Sequence, residues 1–340
     1  MSKRKLSRRQ AWRVQKIQDE RTQRSAKRTV IIEQQIQEGE LGEEREGLVI
    51  ANYGTQVDVE YAQDTDPNSI IRCHLRANIE NPVTGDLIIW REGKPTGVVV
   101  AVKERQSELT RPNLQGQQRT VAANIDYIII VLAPFPLPNS TVLDRYLVAA
   151  ESVSIEPLIL LNKFDLIDDS NRLEIEELLS VYPALGYRVL NASSKSMDGL
   201  HELETTLKDR NSVFVGQSGV GKSSLINSLL PGVDVKVGEL SERNGEGMHT
   251  TTTARLFHLP KGGQLIDSPG IREFGLWHME RLKIFEGFVE FRAFLGTCKF
   301  RDCKHSNEPG CEILAAVERG EINSIRLSSF HNIAQSLQEK

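Results

Sequence analysis

The chain has 340 residues, a hydrophobic fraction of 39% and a net charge of −4. No apolar run reaches the ~18 residues that a membrane-spanning helix needs, and the first residues lack the apolar core of a signal peptide. Since a domain averages about 150 residues, the length favours two or three domains. We expect a cytoplasmic protein that is monomeric and has no membrane partner.

The start of the chain carries a strong positive charge, with eleven Lys or Arg and two Asp or Glu in residues 1–30. A basic, weakly apolar segment is typical of flexible arms that bind polyanions, nucleic acid above all. A solvated end without a dedicated partner is the alternative. We expect residues 1–42 to form a basic, flexible extension.

Residues 43–108 contain short apolar runs separated by turn signals. GLVIANYGTQVDVEY supplies two runs, and IRCHLRANI, PVTGDLIIW and GVVVAVKER supply three more. About five short strands favour an OB-fold barrel, with an SH3-like barrel or a small sandwich as alternatives. Cys73 stands alone in one of these strands, and we expect it to be a core thiol.

Residues 112–275 alternate predicted strands with predicted helices. The strands are YIIIVLA, PLILL, YRVL, SVFV and GGQLID, and the helices are LDRYLVAAE, RLEIEELLSVY and DGLHELETTL. Strands that alternate with helices imply a doubly wound, mostly parallel sheet. Residues 276–340 are helical and irregular around the cysteines, and we expect them to form a third, small unit.

GQSGVGKSS at residues 216–224 fits the pattern G-x-x-x-x-G-K-[ST] between a predicted strand and a predicted helix. Its glycines allow backbone N–H groups to surround phosphate oxygens, while Lys222 reaches the β- and γ-phosphates and Ser223 binds Mg²⁺. The candidate phosphate-binding residues are Gly216, Gln217, Ser218, Gly219, Val220, Gly221, Lys222, Ser223 and Ser224.

NKFD at residues 162–165 follows the predicted strand PLILL and selects the base. The Asp165 carboxylate can accept the two N–H protons on guanine N1 and N2, an edge that adenine lacks. We expect Asn162 to bind the base edge and hold the phosphate loop, and the aliphatic stem of Lys163 to cover the purine face. Taken alone, the motif could also be a polar turn that caps the next helix.

NASSK at residues 191–195 follows the next predicted strand, YRVL. In a guanine nucleotide site, a loop at this position is expected to offer a backbone N–H to guanine O6. The motif is unspecific by itself and gains its meaning from its place after NKFD. Its candidate residues are Asn191, Ala192 and Ser193.

DSPG at residues 267–270 follows the predicted strand GGQLID. There Asp267 can hold Mg²⁺ through water, and the Gly270 N–H can contact the γ-phosphate. GMHTTTT at residues 247–253 lies between the phosphate loop and DSPG and contains a second Mg²⁺ ligand. The spacing does not show which of Thr250, Thr251 and Thr252 binds Mg²⁺. We take Thr251 as the candidate ligand.

A metal site is predicted near the end of the chain, where three cysteines and a histidine cluster as C-x4-C-x-H-x5-C. Three thiolates and one imidazole suit a closed, structural Zn²⁺ site, and the clustering favours a metal over disulfides. A small irregular segment with few aromatic residues needs such a staple to fold. The predicted ligands are Cys298, Cys303, His305 and Cys311.

The order NKFD, NASSK, GQSGVGKSS, GMHTTT, DSPG resembles that of the circularly permuted GTPases, in which the base-reading elements precede the phosphate loop. PVTGD, AANID, LDRYLVAAE, SPGIREFG and CKFRDCKHSNEPGC resemble segments of the small ribosomal subunit biogenesis GTPases among them. The resemblance covers about residues 47–311. It implies an α/β protein with an N-terminal OB-like β-barrel, a circularly permuted P-loop GTPase domain and a C-terminal zinc-binding helical domain.

The same resemblance implies an enzyme that hydrolyses GTP to GDP and phosphate and is stimulated by the small ribosomal subunit, whose rRNA it contacts late in maturation. A regulatory GTP-binding scaffold whose basic arm engages membrane or protein is the alternative. Ile271 occupies the place of the water-orienting Gln of many GTPases, so slow intrinsic turnover is expected. In the family the switch histidine, here His249, is the candidate catalytic residue, with a packing or capping role as the alternative.

Overall fold

The structure is a computed structural model that describes residues 41–61, 70–76, 79–112, 118–231, 254–267 and 279–338. Contacts divide the chain into two compact units, Met1–Pro82 with Asp86–Glu104 and Val83–Gly85 with Arg105–Lys340. Of the basic extension expected at 1–42, only residues 41 and 42 are described. No helix among the described residues is long and apolar enough to cross a membrane.

The first unit is a barrel of five strands: β1 Glu44–Asn52, β2 Gln56–Tyr61, β3 Ile71–Leu75, β4 Leu87–Arg91 and β5 Gly97–Val102. β1 pairs with both β2 and β4, β3 pairs with β2 and in parallel with β5, and β5 pairs with β4. The order β1-β2-β3-β5-β4 therefore returns to β1. This closure confirms the predicted OB-like barrel.

Alternate side chains of these strands fill the barrel, as the two-residue period of a strand requires. The fully buried cluster comprises Val49, Val57, Val59, Cys73, Ile88, Trp90 and Val99. Burial raises the pKa of the Cys73 thiol to about 12, so the group stays protonated and unreactive. Cys73 is the core thiol that the sequence predicts.

The second unit is built on a six-stranded sheet with the order β10-β9-β8-β11-β13-β12. The strands are β8 Tyr127–Leu132, β9 Glu156–Leu161, β10 Arg188–Asn191, β11 Asn211–Val215, β12 Arg255–His258 and β13 Gln264–Asp267. Five of the six are parallel, and β12 is antiparallel to β13. Every residue of β8 is buried, as expected for a central strand of a parallel sheet. The predicted, mostly parallel sheet is confirmed.

Three strands of this unit were not expected from the sequence. One is β12, and the other two form the antiparallel hairpin of β6 Glu108–Pro112 and β7 Gln118–Ala123. Their sequences, RLFH, ELTRP and QRTVAA, mix polar and apolar residues without a continuous buried run. Partner strands distant along the chain, rather than local periodicity, decide that these segments are extended.

Among the described residues, four helices follow the strands β8, β9, β10 and β11 in turn: α1 Ser140–Ser152, α2 Arg172–Ser180, α3 Leu200–Leu207 and α4 Lys222–Leu229. Helix α1 begins after Asn139, whose side-chain oxygen accepts a hydrogen bond from the Val142 N–H at 3.3 Å, an N-cap. The apolar faces of α3 and α4 pack in one cluster with alternate residues of β8. This packing holds the start of α4, and with it the phosphate loop, against the sheet.

The chain ends in a helical tail formed by α5 Arg281–Gly287, a 3₁₀ turn Val289–Phe294, α6 Glu312–Glu318 and α7 Ser324–Gln338. Its core is aromatic. Contacts between ring centroids at 4.9 to 6.0 Å join Phe285, Phe288, Phe291 and Phe330. The tail therefore has a core of four rings, supplied by α5, the 3₁₀ turn, the residue between these two elements, and α7.

A buried ion network joins this tail to α1. Arg326 of α7 and Asp144 of α1 are both fully buried, and the guanidinium Nη1 donates to the Asp144 Oδ1 at 2.5 Å. Arg326 also donates to both carboxylate oxygens of Glu290, at 2.6 and 3.1 Å, and the Tyr182 hydroxyl donates to Asp144 at 2.9 Å. One guanidinium thus satisfies two carboxylates, which compensates the cost of desolvating all three charges.

Glu151 repeats this arrangement two helical turns further along α1. Its carboxylate accepts a hydrogen bond from the Tyr187 hydroxyl at 3.2 Å and another from the Arg292 guanidinium at 2.7 Å. Residues seven apart lie on nearly the same side of a helix. The two acidic residues of LDRYLVAAE therefore connect the segment before β10 to the tail, through α1.

Replacing Arg326 by Met should strongly destabilise the second unit. The change leaves Asp144 and Glu290 as buried carboxylates without their cation, so we expect a loss of about 3–5 kcal/mol in the free energy of unfolding. Calorimetry measures this as a lower unfolding temperature. Arg319→Met is the matched control, because Arg319 pairs with Glu321 at the exposed surface. Equal effects of the two substitutions would contradict the network's role.

Candidate nucleotide and metal sites

The sequence motifs of the nucleotide site converge at one edge of the second unit's sheet. β8, β9, β10, β11 and β13 are parallel, so their carboxyl ends lie on the same side. NKFD follows β9, NASSK begins at the last residue of β10, the phosphate loop follows β11, and Asp267 is the last residue of β13. Ligands of open α/β sheets bind at this edge. Four of the five predicted motifs therefore meet there, at least in part.

Glycine is required at two points of the phosphate loop. Gly216 has φ 139°, and a Cβ there would lie 2.4 Å from the Val131 carbonyl oxygen of β8. Gly221 has φ 92°, and its Cβ would lie 2.5 Å from the side-chain nitrogen of Asn162. A side chain at either position would push the loop away from its neighbours. The two glycines let the backbone pass close to β8 and NKFD.

Lys222 lies almost buried at the start of α4, and its ammonium group is inside the loop. The Nζ atom donates hydrogen bonds to the carbonyl oxygens of Gly216 and Gln217, both at 2.6 Å. Ser223 follows in the first turn of the helix. The cation predicted to reach the phosphates is therefore held within the loop by the loop's own backbone.

NKFD is attached directly to the phosphate loop. The Asn162 amide donates to the Val220 carbonyl at 2.9 Å, and the Lys163 ammonium donates to the Gly219 carbonyl at 2.6 Å. Lys163 has a left-handed backbone with φ 55°, which turns the chain sharply after β9. The Asn162 side-chain oxygen is buried and has no hydrogen-bond partner among the described residues. That oxygen is available to a ligand donor, because a buried acceptor is costly when it stays unpaired.

Asp165 is held by the second base-reading loop. The buried Ser193 hydroxyl donates to the Asp165 Oδ1 at 2.6 Å and accepts from the backbone N–H groups of Lys195 and Ser196 at 3.2 and 3.1 Å. These bonds fix the orientation of a carboxylate that is itself exposed to solvent. The sequence pointed to Ser193 for its backbone, whereas the structure shows its hydroxyl orienting Asp165.

The backbone donors predicted in NASSK are used within the chain. The Ala192 N–H donates to the Leu161 carbonyl and the Ser193 N–H to the Asp198 carbonyl, both at 2.9 Å. Both N–H groups are therefore engaged within the chain, and the contact of this loop to guanine O6 stays a prediction. Asn191 is exposed at the end of β10, and the half-buried Ser194 is the next residue of the loop after Ser193.

Asp267 lies at the end of β13, which is paired with β11, the strand that leads into the phosphate loop. On the neighbouring strand β12, its partner in the antiparallel pairing is Arg255. The structure thus brings Asp267 to the same sheet edge as the loop. The other predicted switch residues, His249, Thr250, Thr251, Thr252 and Gly270, lie outside the residues that the structure describes.

The four predicted metal ligands come together in the tail. One ligand atom from each of Cys298, Cys303, His305 and Cys311 lies within 4.8 Å of all the others. The His305 Nδ1 is 3.6 Å from the Cys298 sulfur and 3.4 Å from the Cys311 sulfur, and those two sulfurs are 3.9 Å apart. Four donors at these separations fit around one ion with Zn–S bonds of about 2.3 Å and Zn–N bonds of about 2.0 Å. The cluster could therefore hold one zinc ion.

Burial shifts the pKa values of Cys303 and His305, two of the four predicted ligands. Burial, and then the neighbouring thiols, raises the pKa of Cys303 to about 12, so the sulfur resists ionisation unless a positive charge compensates it. Burial, followed by the nearby Arg281, lowers the pKa of His305. The neutral imidazole that results is the form that binds metals.

Glu308 organises the loop between the second and fourth ligands, a role that the sequence analysis did not assign. Its carboxylate accepts backbone N–H bonds from Lys304 at 2.9 Å, Ser306 at 2.8 Å and Asn307 at 3.1 Å. These bonds, that of Lys304 first, lower the pKa of Glu308 to about 2. The carboxylate therefore holds backbone N–H groups both before and after His305.

Comparison with known proteins places these features in one family. The family model described as RsgA GTPase matches residues 102–277. The small ribosomal subunit biogenesis GTPase RsgA of Ectopseudomonas mendocina (strain ymp) is 55% identical over 340 residues, which are 100% of this chain and 99% of that protein. The protein of the same name from Hahella chejuensis (strain KCTC 2396) is 54% identical over 341 residues, covering 100% of this chain and 98% of its own.

Two solved structures are similar over most of the chain. YjeQ from Thermotoga maritima superposes with a TM-score of 0.73 at 31% identity and covers 88% of this chain and 100% of its own. YloQ, described as a circularly permuted GTPase, has a TM-score of 0.68 at 29% identity and covers 87% of this chain and 96% of its own. The similarity therefore extends beyond the nucleotide-binding motifs.

Glu308→Gln should weaken the metal site without removing a ligand. Because the folded-state pKa lies below the usual 4.5, the carboxylate's stabilisation is complete above about pH 4.5 and is lost as the pH falls towards about 2. At neutral pH we expect the variant to lose metal at a chelator concentration about tenfold lower than the unaltered protein. Metal release with a chromogenic chelator measures this.

The matched control for that experiment is Glu318→Gln, an exposed glutamate at the end of α6. It should release metal as the unaltered protein does. Equal metal retention by both variants would show that Glu308 does not support the site.

Proposed function

The chain belongs to the RsgA family of GTPases, and from that membership we propose that it is a GTPase of small ribosomal subunit biogenesis. It binds the small subunit through rRNA, assists late maturation, and hydrolyses GTP to GDP and phosphate with stimulation by the subunit. The protein acts as a monomer in the cytoplasm, and its basic extension adds affinity for RNA. The slow intrinsic turnover follows from Ile271, which cannot orient water.

The observation that carries this proposal is the direct attachment of NKFD to the phosphate loop. Two hydrogen bonds, from Asn162 to Val220 and from Lys163 to Gly219, fix the base-reading turn beside the phosphate-binding backbone. A nucleotide must be contacted at both its base and its phosphates, so these elements need a fixed separation. The bonds hold them in place although 58 residues separate Asn162 from Val220.

In this proposal the base is selected by Asp165. Its carboxylate, oriented by Ser193, accepts the guanine N1 and N2 protons, and an adenine base offers no such pair. The Lys163 stem covers the purine face, and Asn162, whose side-chain amide is held by the Val220 carbonyl, binds the base edge. We assign the contact to O6 to the Ser194 N–H, because those of Ala192 and Ser193 are used within the chain.

The phosphates bind at the loop and the start of α4. Backbone N–H groups of 216–224 point to the phosphate oxygens, the helix N-terminus favours negative charge, and Lys222 neutralises the β- and γ-phosphates. Ser223, Thr251 and, through water, Asp267 are the proposed residues for Mg²⁺, which supplies charge neutralisation during phosphoryl transfer. Gly270 contacts the γ-phosphate. His249 is the proposed group that orients water, in place of the absent glutamine.

The metal of the tail is proposed to be one structural zinc ion. All four ligand positions are supplied by the chain, so no coordination position remains for a substrate. The role of the zinc ion is structural: it would hold the loop of residues 298–311 in one conformation. The tail's aromatic core and the ion network to α1 then fix that loop relative to the nucleotide domain.

Purified small ribosomal subunits should raise the rate of GTP hydrolysis by at least about tenfold. The stimulation should weaken as salt increases, because contacts to rRNA phosphates release counterions. Phosphate release, measured at two salt concentrations with large subunits as the control, tests this. Absence of stimulation at both concentrations would contradict the ribosomal function and leave a GTP-dependent scaffold as the better account.

Asp165→Asn should lower the affinity for GDP by about 10- to 100-fold, because a hydrogen bond to a charged group contributes about 1.5–3 kcal/mol. The already weak affinity for ADP should stay the same. Equilibrium binding of fluorescent GDP and ADP measures both. Asp169→Asn is the control, since Asp169 is exposed four residues further along the same loop. Parallel losses of GDP and ADP binding would show that Asp165 supports the fold rather than guanine recognition.

A further inference from the structure

Thr84 of PVTGD is buried in the second unit, although residues on both sides of Val83–Gly85 belong to the first. Its hydroxyl donates a hydrogen bond to the Ala254 carbonyl at 3.0 Å. Its own carbonyl accepts the Ala123 N–H at 3.0 Å, and it forms a parallel bridge with Ala122. Thr84 is thus fixed by the end of β7 and in turn holds Ala254.

Gly85 makes this position rigid. Its φ of 91° and its close approach to β7 exclude a side chain, because a Cβ would lie 2.3 Å from the Ala123 carbonyl oxygen and 3.1 Å from the Ile266 Cδ1. Its carbonyl accepts a hydrogen bond from the Asn124 side chain at 2.8 Å. The Thr-Gly pair is therefore held from both sides by the nucleotide domain itself.

Ala254 is the residue at which the threonine segment joins the sheet. It follows Thr253 of GMHTTTT and precedes β12. The first residue of β12, Arg255, pairs with Asp267, the residue proposed to hold Mg²⁺ through water. The Ala254 carbonyl, which Thr84 binds, therefore lies one residue before Arg255, the partner of Asp267. Along the chain, Ala254 follows Thr251 by three residues.

We propose that Thr84 is a positioning residue for GTP hydrolysis. Its hydroxyl fixes the Ala254 carbonyl at the start of β12, and so holds the strand whose first residue stands opposite Asp267. The inference rests on the proposed GTPase function. Displacing a reacting group by about 1 Å can lower a rate by about 10²-fold, so loss of this one bond should reduce turnover.

The test uses Thr84→Val in the full-length chain, a change of nearly constant volume that removes the hydroxyl. We expect kcat for GTP hydrolysis to fall by about 10- to 100-fold. KM and GDP affinity should be unchanged, because the residues that bind base and phosphates are untouched. Thr84→Ser keeps the hydroxyl and should restore most of the rate.

Thr120→Val is the matched control. Thr120 lies in β7 and donates its hydroxyl to the exposed Glu108 carboxylate at 3.0 Å, so the same exchange removes one hydroxyl hydrogen bond from the hairpin beside Thr84. It should hydrolyse GTP as the unaltered protein does. If Thr84→Val does not fold, Thr84→Ser and Thr84→Ala are compared with each other instead. Both variants lack the threonine methyl group, and they differ from each other only in the hydroxyl.

A folded Thr84→Val variant with unaltered kcat would overturn the proposal. So would an equal loss of kcat and GDP affinity, which would mean that Thr84 only supports the stability of the nucleotide domain. Both results differ from failure of the proposed function, in which the unaltered protein itself does not hydrolyse GTP. A fall in kcat alone, restored by serine, is the supporting outcome.

Discussion

The Asn162 side chain, buried after β9, donates its amide to the Val220 carbonyl inside the phosphate loop at 2.9 Å. This hydrogen bond sets the separation between the base-reading turn and the phosphate-binding backbone. It also explains Gly221, because a side chain at that position would collide with the same amide. Since the bond is buried, its loss would leave both the amide and the carbonyl without water or a partner. The geometry of the nucleotide site depends on it.

The permuted order of motifs leaves this edge of the sheet unchanged. Parallel strands align their carboxyl ends whatever their order along the chain, so the loops predicted to read the base, after β9 and β10, lie at this edge even though they precede β11. What the permutation changes is the connections. The chain leaves Asp267 towards the tail and enters β8 from the hairpin of β6 and β7. The threonine segment is consequently followed by a strand whose start is held by Thr84.

Helix α1 connects the tail, which contains the predicted metal site, to the segment before β10, after which the second predicted base-reading loop begins. Asp144 and Glu151 each bind one tyrosine from the segment before β10 and one arginine of the tail. Because Arg326 is fully buried, separating the tail from α1 would expose an ion network to water and leave its charges without their partners. Any movement of the tail that depends on the nucleotide must therefore carry α1 with it or break this network.

Elements with local evidence could be located from the amino-acid sequence alone. Fully apolar runs located β8 and β9, glycine spacing located the phosphate loop, and the cysteine spacing identified four candidate ligands that the structure brings within 4.8 Å of one another. Four other features became visible only in the folded chain: the strand state of β12, the phenylalanine core of the tail, the pairing of Arg326 with Asp144, and the use of the Ala192 N–H within the chain. They could not be predicted because they are contacts between residues distant in sequence. Periodicity and spacing record which face of a segment is apolar, but not which partner will satisfy a particular donor or charge.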